Sequence, residues 1–334
     1  MKLQLENCFK LKRNTRNEED MPLFRFIFIT VFVSLSILGC GQKGNSSKNG
    51  GQIGERKLNI VTTTGMIADA VRNIGGDRVD VVALMGPGVD PHLYKASAGD
   101  VSRMAQADII FYNGLHLEGK MTEVFEQMER RIKTVAVTAE IDPEKLISPP
   151  EFQGAHDPHV WFDVELWSNA AWYIAKTLAD FDTLNRSIYQ ENGDIYLEKL
   201  NQLHQYVLKR ANELSSERRI LITAHDAFNY FGRAYGFQVR GLQGISTAAE
   251  AGTADVQNLA NFIVQQKVPA IFVETSVPPR YIEALKEAVE SRNHMVQIGG
   301  NLYSDALGDA SSPEGTYIGM VTYNINTIVD ALTQ

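Results

Sequence analysis

The sequence predicts an α/β protein of two similar halves with mainly parallel sheets, joined by one long α-helix. Three observations carry this. Short apolar runs alternate with helical patterns from Lys57 onward, the same alternation returns after residue 218, and between them residues 186–214 contain no proline and a single glycine. Strand-helix alternation at such spacing favours parallel strands covered by helices on both faces.

In the first half, residues 58–63, 79–84, 109–112 and 134–137 read as strands, and 67–74, 98–107 and 121–131 as helices. In the second half, 220–223, 238–241, 270–274 and 295–298 read as strands, with helical stretches at 256–266 and 279–292. Between the halves, Ile195, Leu197, Leu200, Leu203, Tyr206, Val207 and Leu214 recur near helical spacing. A helix over 186–214 would run roughly 40 Å, enough to reach from one half to the other; an ordinary amphipathic surface helix is the competing reading.

The first forty residues do not read as part of the fold. Basic residues Lys10, Lys12, Arg13, Arg16 and Arg25 precede an uncharged apolar run over 26–38, too short to cross a bilayer as a helix and suited to a secretory signal. The run ends in Ile37-Leu38-Gly39-Cys40, which resembles a bacterial lipobox, so residues 1–39 are expected to be removed and Cys40 lipidated. Met21 offers an alternative start, which would place residues 1–20 outside the natural chain. Residues 40–55 are expected to tether the anchor to the fold, since "GQKGNSSKNGGQIG" is rich in Gly, Ser, Asn and Lys. The resulting organisation is an N-terminal α/β domain over 56–185, a connecting helix over 186–215 and a C-terminal α/β domain over 216–334.

The formal charge of −8 offers no basic footprint for nucleic acid. The other cysteine, Cys8, lies in the expected signal segment, so neither a disulfide nor a thiolate metal site is expected in the mature chain.

Of seven histidines, two follow an Asp-Pro turn: His92 in "VDPHLY" and His159 in "AHDPHVWFD". The proline fixes one backbone angle and removes a competing N–H donor, which steadies the imidazole's attachment point. His92 follows the strand 79–84 across Gly86-Pro87-Gly88, His225 follows directly after 220–223, and Asp305 lies a few residues past 295–298. Loops beyond the carboxyl ends of parallel strands are where ligands bind. His159 lies in a loop ahead of a helix beginning near Val164. Neutral imidazole is the commonest protein ligand for metals, and three with one carboxylate complete a four-coordinate site. A single histidine of this kind is more often a turn or surface residue, but four groups in matched loops weaken that account.

Glu274, at another strand end, is held in reserve as the carboxylate, and Asp90 and Asp157 read as turn formers or as acceptors for imidazole N–H groups. His204 falls within the long helix, His294 at a strand entrance, and His116 at the opening of a helical stretch; His156, three residues from His159, is the nearest competitor.

From Lys57 onward the chain resembles the metal-binding solute-binding proteins of bacterial ABC importers of the zinc/manganese type. The resemblance rests on "DPHLYKAS", "NGLHLE", "DPHVWFDVELW", "LITAHDAFNYFGRAYGF", "GLQGIST" and "YSDALGD", in that order. It implies two (β/α)4 domains joined by one backbone helix, with His92, His159, His225 and Asp305 as metal ligands. It further implies one Zn2+ or Mn2+ ion per chain as the transported ligand, an ABC permease and its ATPase as partners, and a lipid-anchored, extracytoplasmic, monomeric receptor. Many manganese-selective relatives have Glu where His225 stands, and zinc-specific ones often carry a His-rich acidic loop after "NGLHLE", where residues 118–131 have no His. Two other readings are a zinc hydrolase using the three histidines with Asp305 as base, and a surface adhesin; no HExxH, Gly-x-Ser-x-Gly or Walker loop supports an enzyme.

Overall fold

β1 (Leu58–Thr62), β2 (Val79–Ala83), β3 (Ile109–Tyr112) and β4 (Lys133–Ala136) form one parallel sheet in the order β2-β1-β3-β4. The computed structural model describes residues 55–149 and 154–333, all within one compact unit. The expected signal segment, Cys40 and nearly all of the tether lie outside the described residues. Helices α1 (Gly65–Gly75), α2 (Ala98–Met104) and α3 (Thr122–Glu129) connect the strands. The inner strands β1 and β3 are the most buried, as expected of apolar runs covered on both faces, while edge strand β2 alternates.

In the second half β5 (Ile220–His225) pairs in parallel with β6 (Gln238–Gln243), and β7 (Ala270–Glu274) with β8 (Gln297–Leu302), with β7 lying beside β5. Helices α6 (Asn229–Tyr235), α7 (Thr253–Gln266), α8 (Arg280–Glu290) and α9 (Tyr317–Thr333) complete it. Every strand pair among the described residues is parallel.

Two helices lie between the halves in sequence, α4 (Val164–Phe181) and α5 (Arg186–Ala211). α5 is 26 residues long, roughly 39 Å at the usual rise, and buries Tyr189, Gly193, Tyr196, Leu200, Leu203, Val207 and Ala211. Gly193 is needed here because a Cβ would lie 3.0 Å from that of Ala175, so its absence lets α4 and α5 approach closely. The core around α5 joins residues of both halves, from Leu58 and Ile67 to Tyr317 and Ile328. A buried carboxylate marks this junction: Asp69 of α1 accepts hydrogen bonds from the Tyr196 hydroxyl of α5 (3.3 Å) and from the backbone N–H of Tyr317 at the start of α9 (3.1 Å).

Three sequence expectations shift. His225 is the last residue of β5 and not the residue after it, because the ladder continues to the pair His225↔Gln243. The last strand starts at Gln297, which pairs with Ala270, while Met295 remains exposed. His116 opens no helix: Leu115 and His116 are left-handed (φ 53° and 64°). Here the Glu118 carboxylate draws in the backbone N–H groups of Asn113 (2.7 Å) and Gly114 (3.2 Å), folding the segment back on itself.

Candidate metal centre

The first Asp-Pro-His segment leaves β2 through two further sheet-type bonds, Leu84 N to Thr62 O and Met85 N to Thr63 O, then turns at Gly88, whose φ of 70° suits glycine. Asp90 bridges the proline by accepting the backbone N–H of His92 (2.8 Å). The second segment repeats the device, with Asp157 accepting the N–H of His159 (2.9 Å). His159 then leads into a 3-10 turn over Val160–Phe162 and into α4, whose first N–H groups are capped by Asp163. His225 ends β5, and its backbone N–H is taken by the Glu274 carboxylate at the end of β7 (2.9 Å). Asp305 follows β8, with Ser276 Oγ donating to its Oδ2 at 3.2 Å.

These four side chains converge. One donor atom from each of His92, His159, His225 and Asp305 lies within 4.8 Å of the others, and all four residues are buried. Nε2 of His92 is 3.2 Å from Nε2 of His159, which is 3.5 Å from Asp305 Oδ1, while His225 Nε2 is 3.3 Å from Asp305 Oδ2. A tetrahedral zinc site with bonds of ~2.05 Å has edges of about 3.3 Å; these three separations match such an edge, while the bound on all pairs is 4.8 Å, so some donors would draw in around an ion. Among the described residues His225 Nε2 and Asp305 Oδ1 are buried with no hydrogen-bond partner. An orphaned lone pair in a dry site is costly unless something electropositive meets it, and a divalent cation at the centre of the cluster would meet both.

The outer ring nitrogens are held from behind. Asp157 Oδ1 lies 2.8 Å from His159 Nδ1, and Glu274 Oε2 lies 2.6 Å from His225 Nδ1. Each carboxylate keeps the Nδ1 proton on its own side and turns the Nε2 lone pair inward. Burial opposes charge on His159, but Asp157 and Asp305 outweigh it and hold this imidazole above the ordinary histidine range. Burial likewise opposes charge on His225, where Glu274 and Asp305 prevail and raise it further. Asp305 is held well below the usual carboxylate range despite burial, by His225 and His159. His92 is pushed down to about 3 by burial, against the pull of Asp305 and with the neighbouring imidazoles disfavouring a further charge. Both shifts favour proton binding at His159 and His225, so a metal entering the cluster competes with protons there.

The His159 segment is bound to the second half at four points. Asn229 Nδ2 donates to Asp157 Oδ2 (3.1 Å), Tyr230 Oη to Asp157 O (2.9 Å), Trp161 Nε1 to Ser304 O (3.0 Å) and Tyr317 Oη to Trp161 O (2.7 Å). Within its own half, Asn113 Nδ2 donates to Pro158 O (3.0 Å). The Trp161 ring stands edge-on to that of His159, centroids 5.1 Å apart.

Glu274, the reserve carboxylate, stands behind His225 on the Nδ1 side and not among the converging atoms. The other histidines lie elsewhere: His156 pairs with Ser148 Oγ (2.8 Å), His204 with Tyr235 Oη (3.2 Å), His294 with Val268 O (3.0 Å), and His116 is exposed. Trp161, Asn229 and Thr247 lie within the segments "DPHVWFDVELW", "LITAHDAFNYFGRAYGF" and "GLQGIST" that carry the resemblance, but the sequence assigns them no role, and Ser276 lies outside those segments.

Residues 60–331 match the family model described as ZnuA, zinc-uptake complex component A periplasmic. The chain is 53% identical over 275 residues to the zinc-binding protein TroA of Treponema pallidum (strain Nichols), covering 82% of this chain and 89% of that protein. It is 42% identical over 302 residues to the manganese-binding lipoprotein MntA of Bacillus subtilis (strain 168), covering 90% and 97% respectively. The solved structure of the periplasmic zinc-binding protein TroA from Treponema pallidum superposes with a TM-score of 0.81, covering 83% of this chain and 99% of that one.

Proposed function

This chain belongs to the zinc-uptake complex component A family, and from that membership we propose that it is the extracytoplasmic receptor of an ABC importer, capturing one Zn2+ or Mn2+ ion as cargo. The observation that carries the reading is the convergence of His92, His159, His225 and Asp305, with two of their inward-facing atoms buried and unpartnered. His92 and His159 come from the N-terminal domain and His225 and Asp305 from the C-terminal one, so capture draws on both sides of a cleft and release to a permease and its ATPase requires loosening across it. Lipidation at Cys40 and the tether over 40–55 would hold the receptor at a bacterial membrane. All four donors come from one chain, which supports a monomer.

Three imidazole nitrogens and one carboxylate suit zinc better than manganese, and zinc also stands above manganese in intrinsic affinity. The receptor therefore holds Zn2+ more tightly in vitro. The hydrolase and adhesin alternatives gain no support, since the relatives are described as metal-binding proteins and Asp305 sits inside the donor cluster where a general base would have to stand apart from it. Competition titrations with Zn2+ and Mn2+ on the purified protein test the proposal: tight one-to-one binding, lost in His159→Ala, is expected. Absence of stoichiometric uptake of either ion overturns it.

A further inference from the structure

The two Asp-Pro-His segments are tied to the second half unequally. Against the four bonds that hold the His159 segment stands a looser arrangement at His92, where Gly86, Pro87, Gly88 and Leu93 are exposed. There the Thr247 hydroxyl donates to Asp90 Oδ2 at 2.6 Å, and the other oxygen of that carboxylate accepts the backbone N–H of His92. Thr247 is buried, touches no donor of the metal cluster in these bonds, and lies 157 residues away from Asp90 in the chain. It sits on the segment between β6 and α7, which starts at Gly244 and ends at Gly252. That segment borders a cavity of about 960 Å3, with Gln243, Gly244, Ala249 and Glu250 among its lining. Gln243 Oε1 is buried beside it with no hydrogen-bond partner among the described residues.

We propose that Thr247 is the positioning residue for His92: through Asp90 it holds this imidazole against His159, His225 and Asp305, and breaking of the Thr247–Asp90 bond sets how fast the ion enters and leaves. The inference rests on the receptor reading above. His159, His225 and Asp305 form the standing part of the site, held by Asp157, Glu274 and Ser276 and by the bonds around Trp161. His92, at 6% exposure against 0%, 0% and 1% for the other three, is the donor nearest solvent and the one that leaves first. The hydroxyl acts on position and not on charge, so it shows in rates.

The test loads purified wild type, Thr247→Val and Thr247→Ser with Zn2+ and follows release into excess chelator by stopped flow. Thr247→Val is expected to release zinc about tenfold faster, the cost of one hydrogen bond to a charged group, and Thr247→Ser to stay within about twofold of wild type. With Co2+ as probe, the absorption spectrum of the loaded Thr247→Val protein stays that of wild type, because the donor set is the same. Release from Thr247→Val within about twofold of wild type, or Thr247→Ser as fast as Thr247→Val, overturns the proposal. A cycle with Asp90→Asn holds even if a variant is destabilised: the double variant should release no faster than the faster single one, and multiplying effects overturn the linkage. If wild type itself takes up neither Zn2+ nor Mn2+, the receptor reading falls and this inference with it; uptake with unchanged release in Thr247→Val defeats this inference alone.

Discussion

Asp-Pro-His at 90–92 and at 157–159 folds the same way twice, with the aspartate accepting the histidine N–H at 2.8 and 2.9 Å and its second oxygen bonded across to the other half, by Thr247 in one case and Asn229 in the other. The imidazoles nonetheless differ. Burial is the largest influence on both rings and disfavours charge; at His159 it is outweighed by Asp157, bonded to Nδ1, and Asp305, which raise the ring above the ordinary range, whereas at His92 only Asp305 opposes it and the ring falls to about 3. The triplet thus encodes a backbone turn, and the surroundings decide the protonation and the fixity of the ring it presents.

The largest effect that would sharpen this contrast is loss of a donor. His159→Ala should lower zinc affinity by about 10²- to 10³-fold, taking the stability of a four-ligand zinc site as shared among its ligands; competition titration measures it, and a loss no greater than in His116→Ala breaks the assignment. Next, Asp157→Asn should cost about 10- to 100-fold in affinity, as expected of a carboxylate orienting a metal-bound imidazole. Asp90→Asn should cost less at equilibrium and act mainly on release; equal equilibrium losses would erase the distinction between the two segments. His225→Glu should lower the ratio of zinc to manganese affinity, because it trades an imidazole for a carboxylate that suits manganese.

The pH behaviour of the metal-free protein separates the two rings with a smaller effect. His159 and His225 have folded values raised above about 6.5, so their contribution is fully present below that pH and is lost as pH rises through the folded values. His92 acts in the opposite sense: its folded value is depressed, so its contribution is present above about 6.5 and is lost as pH falls below that towards about 3. The melting temperature without metal is therefore expected to decline above pH 6.5, and the gain from added zinc to grow over the same range, since fewer protons remain to be displaced. A flat melting profile there would contradict buried imidazolium ions. Smallest of all, the radius of gyration should change by on the order of 1 Å or less on metal binding, because the bonds around Trp161 and the shared core along α5 leave room only for small tilts.

Much of the fold could be read from local pattern where burial is complete. The runs at 109–112 and 270–274 are strands over those same residues, because stretches that are apolar up to the closing Glu274 of the second are what doubly covered strands require. α9 went unread: "YIGMVTYNINTIVDALT" mixes β-branched residues with Asn, and its helicity comes from packing a buried face on the rest of the core. At the centre, the doubled turn and the positions beyond strand ends made His92, His159, His225 and Asp305 visible. Glu274 was chemically as good a ligand as Asp305, and only the fold shows that it faces the outer nitrogen of His225. Thr247 and Asn229 carry no role that the sequence can assign, because a hydroxyl or amide acquires one only when folding brings it to a partner 157 or 72 residues away.

The proposed donor set of imidazoles and a carboxylate contains no sulfur, and both cysteines of the chain, Cys8 and Cys40, precede the fold. Thiolate zinc sites lose their metal when oxidants convert cysteine to sulfenic acid or disulfide. A centre built as this one is has no thiolate to oxidise, so peroxide at levels that empty a thiolate site should leave zinc capture intact, and acid remains the chemical signal to which it answers.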